Sequence, residues 1–142
     1  MTVPYAEVIG DPIGHSKSPL IHKFWLEKSG LDCDYRARPV PAESLPDYIA
    51  DARRDPHWLG CSVTIPHKRS IVPLLTRLSA EAAAIGAVNL VRREGTELVG
   101  YNGDGRGFLE PLRPRLAESH LYRMARILGA GNVRMREAEQ AD

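Results

Sequence analysis

No apolar run in the 142 residues approaches the roughly 20 that a bilayer-crossing helix needs. The opening MTVPYAEVIGDP shows neither a basic leader nor an apolar signal core, so a cytoplasmic chain is expected. Cysteine is scarce: Cys33 and Cys61 lie far apart, outside any CxxC pair or zinc-type His/Cys spacing, and read as free, packed thiols in a reducing compartment. Charge of one sign is not in excess either. Lys and Arg number 19 against 18 for Asp and Glu, which excludes the broad basic field that marks nucleic-acid or membrane binders. A small molecule is the expected partner. His15, His22 and His67 lack HxxxH spacing, so no metal is expected and surface or packing roles fall to all three.

What is present is an alternation of strand and helix signals, in a chain long enough to bury roughly 70% of its unfolded surface. Residues 5–9 favour a strand closed by Gly10-Asp11-Pro12. Leu20, Ile21, Phe24 and Trp25 then recur at helical spacing, between Ser18-Pro19 as N-cap and first-turn proline and Gly30 as the stop. A strand over 34–40 and a helix over 42–53 follow, the helix with Leu45, Tyr48, Ile49 and Ala52 as its inner face. A third strand over 58–64 ends at Ile65-Pro66, where a helix start is predicted at the proline. Residues 71–78 and 79–85 read as short helical pieces, and 87–92 and 97–100 as strands joined by a tight turn at Glu94-Gly95. A proline-interrupted helix over 109–118, a strand starting at Arg126-Ile127-Leu128 and a polar, helical or disordered tail complete the pattern. The fold expected is α/β: a three-layer α/β/α sandwich on a mainly parallel sheet with one antiparallel edge strand.

Ligands of such sheets bind outside the carboxyl ends of the strands. Ser16 and Ser18 follow the first predicted strand, Thr64 and Lys68 the third, and Asp104 the fifth. GHSKSP places two hydroxyls at a helix N-terminus, where backbone N–H groups favour an anion such as a carboxylate; Ser18 is equally accounted for as a cap, whereas Ser16 caps nothing obvious. In SVTIPHK, a helix beginning at Pro66 puts Lys68 in its first turn, against the positive end of the dipole. A proton-shuttling lysine fits that placement, and so does an exposed lysine on a helix that starts later. YNGDGRGF matches an EF-hand at Asn102, Asp104 and Gly105, but Gly100 and Pro111 then occupy the first and last ligand positions, which excludes calcium. A Walker loop lacks its Gly-Lys-Ser/Thr ending. A flexible turn remains, in which Asp104 either meets a substrate hydroxyl and a neighbouring Lys⁺ or simply forms the turn.

Taken together, GDPIGHSKSPLIH, GCSVTIPHK, AAAIGAVNLV and GYNGDGRGF resemble, in order and spacing, the motifs of the shikimate dehydrogenase family, over about residues 5–131. The resemblance implies an aminoacid-dehydrogenase-like N-terminal domain for shikimate and 3-dehydroshikimate, and a C-terminal Rossmann domain for NADP. It implies that Ser16 and Ser18 bind the carboxylate, that Thr64, Asn89 and Ser62 contact substrate, and that Lys68 and Asp104 act as a proton-transfer pair. The implied reaction, in aromatic amino-acid and chorismate biosynthesis, is reversible reduction of the 3-dehydroshikimate ketone by NADPH. Ser62 stands where the family usually has Asn, and Leu90 and Gly103 replace common threonines, so shikimate and quinate both stay open as substrates.

The closing ARILGAGNVRMREAEQAD resembles a strand entering the family's GxGGA-type turn, with Gly129 and Gly131 at cofactor positions. Asn132 and Arg134 then stand where small residues let a helix approach the pyrophosphate. Residues 1–121 accordingly read as the shikimate-binding catalytic domain and 122–142 as a vestigial start of the NADP-binding domain. The expectation is a substrate-domain fragment, inactive and binding NADP poorly on its own, whose uncovered apolar surface favours a homodimer. The alternative is a non-catalytic module that binds shikimate or quinate.

Overall fold

The computed structural model describes residues 3–114; the strand expected from Arg126 and the polar tail lie outside them. The chain divides into two compact units, Met1–Asn102 and Gly103–Asp142. Six strands make one sheet in the first unit: β1 Tyr5–Gly10, β2 Asp34–Pro39, β3 Trp58–Val63, β4 Arg77–Leu78, β5 Leu90–Glu94 and β6 Glu97–Tyr101, in spatial order β2-β1-β3-β5-β6-β4. The helices of that unit are α1 Ser18–Ser29, α2 Leu45–Arg54, α3 His67–Ser70 and α4 Ala80–Ile85.

The sheet is mixed and mostly parallel, as expected, but its reversed strand is not at an edge. β5 runs antiparallel to both β3 and β6 and lies inside the sheet, while β2 and β4 are the edges. The reason is β6, which pairs with β5 on the side away from β3 and in turn carries β4, a strand the periodicity missed. Residues 71–78 were expected to be helical; instead one 3-10 turn, Val72–Leu74, leads into two residues that pair parallel with β6 and cover its outer side. A two-residue strand carries no alternation to read. The hairpin between β5 and β6 turns where expected, at Gly95, whose φ of 62° suits glycine.

Leu45, Tyr48, Ile49 and Ala52 of α2 are all buried, and they pack with Ile9, Trp58, Cys61, Val63 and Val91 in the main core. A 3-10 turn, Ala42–Ser44, precedes α2, so its α-helical part starts later than expected. The Arg93 guanidinium fastens its far end, donating to the carbonyls of Ala52, Asp55 and Trp58, where positive charge also complements the helix dipole. One carboxylate enters this layer: Glu7, buried, accepts from Tyr48 Oη at 2.8 Å and Arg36 Nε at 3.0 Å, which offsets its lost hydration.

On the other face, Val8, Ile13 and Tyr35 form a smaller cluster against Leu26 of α1. Here the amphipathic reading of α1 needs correction. Leu20, Phe24 and Trp25 are 72%, 53% and 56% exposed, and no residue of α1 is fully buried. The helix meets the sheet through His22 and Leu26 instead, one position along from the apolar stripe. Its stop is as expected: Gly30, at φ 64°, returns its N–H to the carbonyls of Glu27 and Leu26.

Candidate functional site

The loops that follow β1 and β3, and the segment that enters β5, lie at one end of the sheet, because β5 starts where its neighbours finish. At that end Gly10 meets the β3 loop closely. A Cβ on Gly10 would stand 2.6 Å from Thr64 Cγ2 and 2.9 Å from the Ile65 carbonyl, so only glycine lets the two loops touch. Main-chain bonds hold the contact: Asp11 N–H donates to Ile65 O at 3.1 Å and Thr64 N–H to Ile9 O at 3.0 Å.

The capping roles of the two serines are the reverse of those expected. Lys17 occupies the N-cap of α1 without a side-chain bond, and Ser18 is the first helical residue. Ser16 is the residue that caps, its Oγ accepting the Ser18 N–H at 3.3 Å. Two residues before a helix, a hydroxyl that reaches one of its bare N–H groups leaves no mark in composition, so the sequence assigned the cap to the nearer serine. The Ser18 carbonyl accepts from His22 Nδ1 at 2.9 Å, and the His22 ring stacks on Tyr35 with centroids 3.9 Å apart. Tyr35 Oη in turn donates to Ser62 Oγ at 2.8 Å. Burial pushes the Tyr35 phenol up, which keeps it a donor. His22 and Tyr35 therefore connect the first turn of α1 with Ser62 on β3, a link no local motif announces.

Lys68 sits in α3, which begins at His67, one residue later than predicted, with Pro66 as its N-cap. The helix spans four residues, too short for the summed dipole on which the expectation for Lys68 relied. Main chain fixes its place instead. Val88 N–H donates to Lys68 O at 2.7 Å, Asn89 N–H to Tyr101 O at 2.9 Å, and Val63 N–H to Asn89 O at 2.8 Å. The backbones of Lys68 and Asn89, together with the ends of β3 and β6, are thereby tied in one run. Asn102 Nδ2 adds a bond to Ala87 O at 3.0 Å. His67 is wholly buried, packing as expected of it, and its Nε2 lies 2.6 Å from the Val40 carbonyl.

In the second unit, α5 spans Asp104–Leu109 and a 3-10 turn, Glu110–Leu112, follows. The flexible turn expected around Asp104 is thus the first turn of a helix, where a carboxylate complements the N-terminal N–H groups. Gly129 and Gly131 lie outside the described residues. Among the described residues no group of three His, Cys, Asp or Glu is arranged to hold a metal. An open apolar groove on the α1 face is lined by Ala6, Leu26, Leu59, Leu90 and, of the predicted site residues, Ser62 alone. A polyhydroxy acid finds few partners there.

A model of the shikimate dehydrogenase substrate binding domain matches residues 8–91. The chain belongs to the shikimate dehydrogenase family. A shikimate dehydrogenase (NADP(+)) of Sphingopyxis alaskensis is 50% identical over 110 residues, covering 77% of this chain and 40% of that protein. A Thermus thermophilus shikimate 5-dehydrogenase solved with shikimate superposes with a TM-score of 0.73 at 40% identity, over 78% of this chain and 42% of that one. The 5-ketofructose reductase of a Gluconobacter strain gives 0.75 at 28% identity, over 80% and 41%. The chain spans about two fifths of the length of these relatives.

Proposed function

We propose that this chain holds shikimate and 3-dehydroshikimate for NADP-dependent dehydrogenation, as the substrate-binding part of a shikimate dehydrogenase. The observation that carries the reading is the run of main-chain bonds through Lys68, Val88, Asn89 and Tyr101, which brings segments from three of the four motifs to one sheet end. In this reading Ser16 and Ser18 bind the carboxylate, and Ser62, Thr64 and Asn89 the ring hydroxyls. Lys68 moves the proton at the reacting oxygen, and Asp104, three residues beyond β6 in the chain, is assigned the second role in proton transfer. NADP supplies or accepts hydride when bound. The chain's own side chains fix the ring and place a proton donor where negative charge develops.

Residues 1–121 form the substrate domain in this assignment, and 122–142 open the cofactor domain through Gly129 and Gly131. The two free cysteines support a cytoplasmic setting, and among the described residues no helix is long and apolar enough to cross a membrane. The exposed stripe of α1 supports pairing of two copies.

Titrating the 142-residue polypeptide with shikimate, quinate and 5-ketofructose, by calorimetry and thermal melting, tests the reading. Shikimate is expected to bind and raise Tm, with no NADP-linked turnover by these residues alone. A melting curve indifferent to shikimate, or a stronger response to 5-ketofructose, rejects the substrate assignment. Catalysis appearing once the cofactor domain of a relative is joined to the chain separates an enzyme part from a module that only binds.

A further inference from the structure

We infer that His67 is a positioning residue, which sets Thr64 and Lys68 against the end of β2 through a single side-chain hydrogen bond. The Val40 carbonyl can only accept, so the 2.6 Å contact requires the His67 proton on Nε2. The ring is fully buried, and Nδ1 has no hydrogen-bond partner among the described residues. The ring is therefore bonded on one side only and leaves a buried polar atom unpaired on the other, an arrangement that costs stability and calls for a reason.

The reason lies in what the bond joins. His67 N–H donates to Thr64 O at 2.9 Å, and His67 O accepts from Ile71 N–H at 3.0 Å and Ser70 Oγ at 3.3 Å, so its backbone is the pivot of the turn from Thr64 to α3. Val40 is anchored separately, its N–H donating to Gly10 O at 3.1 Å. The side chain thus braces the lysine-bearing turn against the β1–β2 end of the sheet, while Val88 holds the same turn from the β5 side through Lys68 O. A four-residue helix has too little packing of its own to hold its pose, and it is pinned from both sides.

His67→Gln keeps an N–H that can reach Val40, whereas His67→Phe keeps the ring and removes the donor. Amide exchange reads the turn without any ligand: the Val88 amide reports the Lys68 contact, and the Leu98 amide, which donates to Thr76 Oγ1 at 3.1 Å, reports general loosening. In His67→Phe, Val88 is expected to exchange about ten-fold faster with Leu98 within about two-fold, and His67→Gln to restore most of the protection. Shikimate affinity, which rests on the substrate reading above, is expected to fall about ten-fold in His67→Phe and recover in His67→Gln. Equal loosening at Val88 and Leu98, or failure of His67→Gln to restore Val88, overturns the inference. If the unmodified chain ignores shikimate while the exchange pattern holds, the positioning role stands and only the substrate reading falls.

Discussion

The Val88 N–H points at the Lys68 carbonyl 2.7 Å away, which places a backbone restraint on the residue whose side chain is assigned the proton. Burying that amide would leave it unsatisfied were α3 to move, so the turn is held by the penalty for release as well as by the bond. The lysine stem starts from a fixed origin, and its own rotamers provide the remaining reach.

Replacing Lys68 with Met keeps a similar length and removes the ammonium. Shikimate affinity is expected to fall by about ten-fold or more, the loss of one charge-assisted bond, with Tm little changed. Calorimetry on both proteins checks it; unchanged affinity removes Lys68 from the binding surface.

At Gly10 an added methyl must displace Thr64 Cγ2 or the Ile65 carbonyl. Gly10→Ala is expected to cost about 1–3 kcal/mol in urea denaturation, the usual range for overpacking, and to weaken shikimate binding by shifting Thr64. Equal stability of the two proteins would show that the loops yield without strain.

Alkaline pH should loosen the first unit. The Tyr5 phenol is pushed up from 10.0 to about 12, by burial first and then by its bond to Asp55, and burial pushes the Cys61 thiol up from 9.0 to about 12. Both are neutral when protonated. Raised folded values mean that their contribution is complete below the unfolded values near 9–10 and is lost as pH climbs through about 12. The urea midpoint is expected to decline from about pH 9 upward, less steeply in Tyr5→Phe. A midpoint flat to pH 12 contradicts the raised values of both groups.

The stripe on α1 predicts concentration-dependent association. Sedimentation velocity of the 142-residue chain is expected to show it, and Phe24→Ser with Trp25→Ser to suppress it while leaving the melting curve nearly unchanged, because both residues are more than half exposed. Persistence of the associated species in the double variant would move the contact elsewhere.

Where burial followed periodicity, the sequence was readable: α2 buries the four residues its spacing selects, and Gly30 and Gly95 stop a helix and turn a hairpin as their chemistry requires. α1 shows the limit. Its apolar stripe was real, but periodicity reports a face and not what covers it. β4 and α3 were too short to generate a pattern, and the cap fell to Ser16 because loop geometry decides which hydroxyl reaches an N–H. The motif residues after β1 and β3 were legible as loop residues beyond strand ends; Tyr35 and His67 were not, since a strand tyrosine and a buried histidine look like any other core filling until their partners are known.

Because β5 is reversed, Asn89 arrives at the end of the sheet where the loops after β1 and β3 gather, and the hairpin that begins there turns back at Gly95 and Thr96 on the far rim, both exposed. Chain added at that rim has the length of two strands between it and the hydroxyls assigned to shikimate. A dye, an affinity handle or a tether spliced between Gly95 and Thr96 therefore gives a way to watch or immobilise the protein while leaving the loops after β1 and β3 untouched.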